Sequence, residues 1–274
     1  MLLKEKEYEN MQEPKLIDIH CHLDFPDFNQ DRDEVIKRTL DAGVWFINIG
    51  VDLETSQKSI ELAEKYDGVW LAVGLHPTDR AGGEFDLEKY RELARHPKVV
   101  AIGECGLDYY RNQEARNPKS KIRNKQIKIF KQQIELALEV GKPLMIHCRD
   151  AHDEVLDIVS SFKLHASRLC GDIHFFSGTW EQAQKYLEMG FSLSFDGPIT
   201  FSDNYDETIK NMPFDKIMAE TDSPFAAPAP YRGKRNEPLY VKEVVKKIAA
   251  VRGVSFEEAA EQTTKNAINF FGLE

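Results

Sequence analysis

Leu16-Ile17-Asp18-Ile19-His20-Cys21-His22-Leu23 is an apolar run that ends in two histidines separated by one residue. The side-chain period of an extended strand is two, so His20 and His22 point to the same face and can meet one ion. Taken alone, the pair reads more readily as two hydrogen-bonded turn histidines. The rest of the chain decides between these readings. Seven further short apolar runs follow, at 45–51, 69–75, 99–104, 143–148, 171–176, 191–195 and 216–221. Most are near-continuous, as expected of strands buried on both faces of a parallel sheet. Amphipathic stretches separate them. The clearest puts Ile127, Phe130, Ile134, Ala137 and Leu138 on one face at three- and four-residue steps. Ser255 and Glu258 have the spacing of a capping box at the start of a last helix. Strands that alternate with helices eight times predict an α/β fold, a single (β/α)8 TIM-type barrel, for which ~250 residues is typical.

The chain has 274 residues, 42% of them hydrophobic and 30% charged, which suffices for a large core and argues against disorder. No apolar run approaches the ~18 residues that would cross a bilayer. Residues 1–15 are charged almost throughout and hold no signal-peptide stretch. The expectation is a cytoplasmic protein with an N-terminal extension at 1–15 and one domain at 16–274. No membrane association and no obligate protein partner is expected. The four cysteines, Cys21, Cys105, Cys148 and Cys170, form no CxxC pair and read as free thiols. A net charge of -10 excludes a surface that attracts nucleic acid everywhere. It leaves room for a locally basic groove or an acidic site filled by cations.

Four more metal-competent side chains fall where barrel active sites are built. Glu104 ends the fourth run, His147 the fifth, His174 lies late in the sixth, and Asp222 follows the eighth. Each is near the C-terminal end of a predicted strand. One shared site at the C-terminal mouth explains six such residues better than six separate accounts. Mixed imidazole and carboxylate ligands suit zinc or manganese, and magnesium with several waters. Cys21, Cys105 and Cys148 adjoin these positions, but alternation turns them outward as small apolar residues.

His76, in Gly74-Leu75-His76-Pro77, ends the third run and either orients a substrate phosphate or makes a structural hydrogen bond. Two stretches break the alternation and should lie over the mouth: 111–125, between the fourth strand and its helix, and the proline-rich 223–238. The second holds Arg232 and Arg235, whose guanidinium forks suit phosphate oxygens; Arg149 is a similar candidate.

These motifs, in this order, resemble the TatD family of metal-dependent deoxyribonucleases. The matching segments are Ile17-Asp18-Ile19-His20-Cys21-His22-Leu23-Asp24, Gly74-Leu75-His76-Pro77, Ile102-Gly103-Glu104-Cys105-Gly106-Leu107-Asp108-Tyr109-Tyr110 and Ile146-His147-Cys148-Arg149. They continue with His174-Phe175-Phe176-Ser177-Gly178, Glu220-Thr221-Asp222-Ser223-Pro224 and Arg232-Gly233-Lys234-Arg235-Asn236-Glu237-Pro238. The resemblance runs from about Leu16 to the C-terminus. It implies that His20, His22 and Asp222 hold one divalent ion, that His147 and His174 hold a second, and that Glu104 bridges them. It implies a cytoplasmic enzyme that removes nucleotides from DNA ends, with single-stranded ends as the expected substrate. Two ions (magnesium, manganese or zinc), about 3.5–4 Å apart as in two-metal hydrolases, would acidify a water for attack on a phosphodiester. Asp222 and Glu104 are the expected catalytic carboxylates, with Asp222 orienting or deprotonating that water. His76, Arg149, Arg232 and Arg235 would neutralise phosphate oxygens.

Two departures stand out: Ala226 occupies a position where a larger apolar residue is expected, and the stretch after Tyr110 is longer than usual. An alternative of another class is an amidohydrolase-type small-molecule hydrolase acting on an amide, lactone or phosphotriester. It would use the same ligands. The carboxylate at Glu104, where many amidohydrolases carry a modified lysine, and the basic loop favour the nuclease.

Overall fold

Apolar runs that must be covered on both faces build the strands of a computed structural model whose described residues are 13–78, 84–111 and 113–273. In chain order the elements are β1 (Leu16–Cys21), α1 (Arg32–Asp41), β2 (Val44–Ile49), α2 (Leu53–Ala63), β3 (Val69–Val73) and α3 (Leu87–Ala94). Then come β4 (Val99–Asp108), α4 (Lys121–Val140), β5 (Leu144–Arg149), α5 (His152–Lys163), β6 (Gly171–Ile173) and α6 (Trp180–Glu188). The last are β7 (Ser192–Phe195), α7 (Asp206–Asn211), β8 (Ile217–Ala219), α8 (Val241–Arg252) and α9 (Phe256–Phe271). The eight strands form one parallel sheet in sequence order, as the barrel reading expects. Its seam closes between the first and last strands. Asp222 N–H donates to His20 O at 2.8 Å and His22 N–H to Ser223 O at 2.8 Å. Below them the Asp18 carboxylate accepts from Thr221 N–H at 2.8 Å and from Thr221 Oγ1 at 2.6 Å.

The core has two parts. Outward residues such as Phe46, Leu71, Ile146 and Leu193 meet the helical shell. Inward residues, among them Ile17, Ile19, Ile47, Trp70, Met145 and Met218, pack with Ala267 and Phe271 of α9, which closes the N-terminal end of the barrel. Asn266 of the same helix donates to Phe214 O and Ile217 O, each at 2.8 Å.

Strict alternation does not carry the inward face to the mouth on every strand. Ile17 and Ile19 face inward, yet Cys21 packs outward, and the β1–β2 register shifts between Asp18 and Cys21. On β4 both Ile102 and Cys105 pack outward, with a register shift between them. Such irregularities re-aim side chains, and here they turn His20, His22 and Glu104 inward. Gly106 then brings β4 against β5. Its φ is +129°, and a Cβ there would lie 2.0 Å from His147 O.

Two expected boundaries move. β4 runs on to Asp108, paired with Arg149, so Glu104 lies inside the strand. The stretch 111–125 does not lie wholly between strand and helix. Ser120 Oγ accepts from Ile122 N–H and α4 begins at Lys121. Its basic first turns face solvent and therefore lack the apolar stripe that marks a helix in sequence. Of the expected extension 1–15, residues 1–12 lie outside the described residues.

Candidate metal centre

His20 and His22 arrive on β1, Glu104 on β4, His147 on β5, His174 just past β6 and Asp222 just past β8. Asp222 holds φ at +54°, and Phe175 beside His174 at +49°. Such conformations cost of order 1–3 kcal/mol and persist only where the surroundings impose them. The seam hydrogen bond from Asp222 N–H supplies part of that constraint.

The structure brings all six side chains together around Glu104, which is 3% exposed. Its two oxygens face different neighbours. Oε2 is 3.5 Å from His20 Nε2 and 3.7 Å from His22 Nε2. Those two nitrogens lie 3.2 Å apart, and Asp222 Oδ1 is 3.8 and 3.4 Å from them. Oε1 is 2.9 Å from His147 Nδ1, 3.0 Å from His174 Nε2 and 3.3 Å from His76 Nε2.

Hydrogen bonds behind the rings fix which nitrogen points inward. His22 Nδ1 donates to Ile49 O at 2.9 Å, leaving Nε2 as a lone-pair donor. His174 Nδ1 faces Glu220 Oε1 at 3.2 Å, and Glu220 also accepts from Phe175 N–H and Ser194 Oγ. His147 Nε2 faces Asp108 Oδ2 at 3.0 Å, and the other Asp108 oxygen accepts from the Tyr110 and Arg111 amides. Anchoring one nitrogen of an imidazole so that the other can bind a cation is the usual support of a metal ligand. His76 is different. Thr78 N–H donates to its Nδ1 at 3.0 Å, so the neutral ring carries its proton on Nε2 and offers a donor.

Protonation follows the same geometry. Burial opposes the charged form of Glu104, but His76, His174 and His147 outweigh it and hold the carboxyl well below its usual range. Burial opposes charge on His22 too, yet Asp222 and Glu104 carry its pKa up to about 9. His174, buried between Glu220 and Glu104, is also raised. His20 is lowered by burial and by His174, and among the described residues its buried Nδ1 has no partner. Anionic carboxylates aimed at imidazole nitrogens are a donor set that fits divalent cations. Protons fill that part when no cation does.

The remaining expected residues divide. Arg149 lies over the Tyr110 ring at 4.0 Å and Arg232 over Phe201 at 3.8 Å. Arg235 is not poised for phosphate. It is bonded to Asp31 at 2.6 Å and to Glu237 at 3.2 Å, with its guanidinium over Phe28. Carboxylates from the β1–α1 connection and from its own loop satisfy the fork that phosphate would need. Cys21, Cys105 and Cys148 are buried free thiols. Two supporting acids were missed, Asp108 and Glu220. Spacing could have found both: Glu220 lies two residues before Asp222, and Asp108 four after Glu104.

An eight-stranded parallel barrel with buried imidazoles and carboxylates gathered at its C-terminal mouth is the architecture of a metal-dependent hydrolase. The family model described as TatD related DNase matches residues 17–272. The chain belongs to this family, whose members are hydrolases acting on ester bonds. It is 41% identical to the uncharacterized metal-dependent hydrolase YabD of Bacillus subtilis (strain 168), covering 94% of this chain and 99% of that one. It is 31% identical to the 3'-5' ssDNA/RNA exonuclease TatD of Klebsiella pneumoniae (strain 342), over 94% and 98% of the two chains. The crystal structure of YJJV, a TatD homolog from Escherichia coli K12, superposes with a TM-score of 0.85 at 27% identity, over 96% and 100%. Among the described residues no helix is long and apolar enough to cross a membrane.

Proposed function

We propose that the protein removes nucleotides from the ends of single-stranded DNA in the cytoplasm, using two divalent ions shared by Glu104. The observation that carries this reading is the division of the Glu104 oxygens between the His20–His22–Asp222 side and the His147–His174 side. The exonuclease named among the relatives supports the substrate class. Domain 16–274 would be the catalytic unit.

His20, His22 and Asp222 would hold one ion, His147 and His174 the other, with Glu104 between them. When bound, the ions supply Lewis acidity toward phosphate oxygens and lower the pKa of a water. The chain does the rest. Asp222, its side chain 14% exposed against 4% for Glu104, is the carboxylate open to the mouth. Its partial burial opposes ionisation, but His22, His174 and His20 around it hold its pKa down, so it is suited to orient the attacking water and take its proton. His76 offers Nε2–H, and Arg149 and Arg232 offer guanidinium donors, to the non-bridging oxygens.

The test is metal-free protein reconstituted with magnesium, manganese or zinc and given 5'- or 3'-labelled single-stranded DNA. Stepwise loss of terminal nucleotides is expected. Asp222→Asn keeps the volume but removes the base, and should lower turnover by ~10²-fold or more with an unchanged melting profile. No cleavage with any ion, alongside turnover of small lactones or phosphotriesters, would transfer the site to the amidohydrolase-type alternative.

A further inference from the structure

Among the described residues four large apolar side chains are exposed: Tyr110, Leu164, Phe201 and Phe225. Leu164 caps the far end of α5. The three aromatics all stand on loops leaving the C-terminal ends of strands, Tyr110 after β4, Phe201 after β7 and Phe225 after β8. One exposed ring is ordinary; three around one mouth mark an interaction surface.

Phe225 is the ring beside the metal centre. It lies three residues past Asp222, 6.4 Å from the His22 ring and 6.1 Å from Phe25, which itself stacks on His22 at 4.7 Å. Its backbone is pinned although its side chain is 45% exposed. Phe225 N–H donates to Asp222 O at 2.9 Å, and Phe225 O accepts from buried Asn236 Nδ2 at 2.7 Å. The Phe201 loop is latched to the same segment. Ala229 N–H donates to Thr200 Oγ1 at 2.8 Å, and Gly197 sits so near Ala226 O that a Cβ would come within 1.8 Å. Folding has therefore already fixed the backbone that carries Phe225 and Phe201, so a ligand has only the two side chains to order.

We propose that Phe225 stacks on an unpaired base of the nucleotide whose phosphate lies at the metal centre, and that the Phe201–Arg232 pair receives a neighbouring nucleotide. This rests on the nuclease reading and adds how the site takes a base. Rings that accept any base face, set among guanidinium groups that meet phosphates, are the chemistry of single-stranded nucleic acid recognition. A base inside a duplex is stacked on both sides, and a terminal pair frees only its outer face while staying tied to its partner, so unpaired ends are the better substrates.

The experiment measures binding by the metal-loaded protein of oligonucleotides whose terminal linkages resist hydrolysis, ending in 2-aminopurine or in an abasic residue, at each end in turn. Wild-type protein should change the 2-aminopurine fluorescence and bind a based end ~10-fold or more tightly than an abasic one. Phe225→Ala and Phe225→Leu should lose that preference and bind both ends alike, and Phe225→Trp should restore it. Equal wild-type affinity for based and abasic ends, or Phe225 variants that keep the preference, would overturn the stacking proposal alone when unmodified DNA is still cleaved. If reconstituted wild-type protein neither binds nor cleaves any oligonucleotide, the nuclease reading falls and this inference falls with it.

Discussion

His147 and His152 lie five residues apart, both largely buried, and their rings are driven in opposite directions. Burial opposes charge on each. For His147 the hydrogen-bonded carboxylates Asp108 and Glu104 overcome it and raise the pKa. Among the described residues no carboxylate is hydrogen-bonded to His152; its Nδ1 faces Tyr186 Oη at 3.3 Å, and burial outweighs the nearby Asp153 and Asp150 charges and takes its pKa down to about 4. The unfolded chain, with an ordinary histidine near pH 6.5, therefore binds more protons than the fold between those values. Stability from the neutral ring is complete above about pH 6.5 and is lost as pH falls through about 4, by at most ~3 kcal/mol. Urea unfolding of the native protein and His152→Gln at pH 7.5 and 4.5 checks this. The substitution should shrink the acid loss, and identical losses would mean that other groups carry it.

At the scale of elements, the β4–β5 pair controls half of the metal centre. Gly106 is the point of closest approach, and its positive φ forbids an ordinary side chain. Gly106→Ala should push His147 away from Glu104. If two ions are held as proposed, the bound divalent metal per chain should fall by about half by elemental analysis, with far-ultraviolet circular dichroism unchanged; an undiminished metal content would contradict the coupling. Much of this architecture was legible in sequence. The strands read as unbroken apolar runs because the shell covers one face and the barrel interior the other. His20, His22, His147, His174 and Asp222 could be grouped from sequence because they fall at or near strand ends, whereas Glu104 lies inside β4, whose continuation to Asp108 the apolar run does not show. The irregularities on β1 and β4 were not legible, since a register shift leaves composition untouched. Nor was the start of α4 at Lys121, whose exposed lysines look like loop. The fate of Arg235 was invisible because its partner Asp31 lies 204 residues away.

For the whole molecule, a net charge of -10 makes long-range attraction to DNA unfavourable, so on the nuclease reading affinity must come from a few cations at the mouth. With Arg235 bound to Asp31 and Glu237, Arg149 and Arg232 remain as the arginines of that group. Two or three neutralised phosphates give a slope of log affinity against log salt of about -1.4 to -2 on single strands. Arg232→Ala should flatten it by ~0.7, whereas Arg235→Ala should lower the melting temperature and leave the slope alone. Equal flattening by both would return Arg235 to the phosphates. The seam carries a different consequence, one of timing. Asp18 and Thr221, which close it, are 203 residues apart. At ~5–20 residues per second, translation delivers β8 roughly 10–40 s after β1. Until then His20 and His22 have no Asp222, and the nascent polypeptide has no complete catalytic centre. On the nuclease reading proposed above, the chain acquires its activity only once β8 has been made.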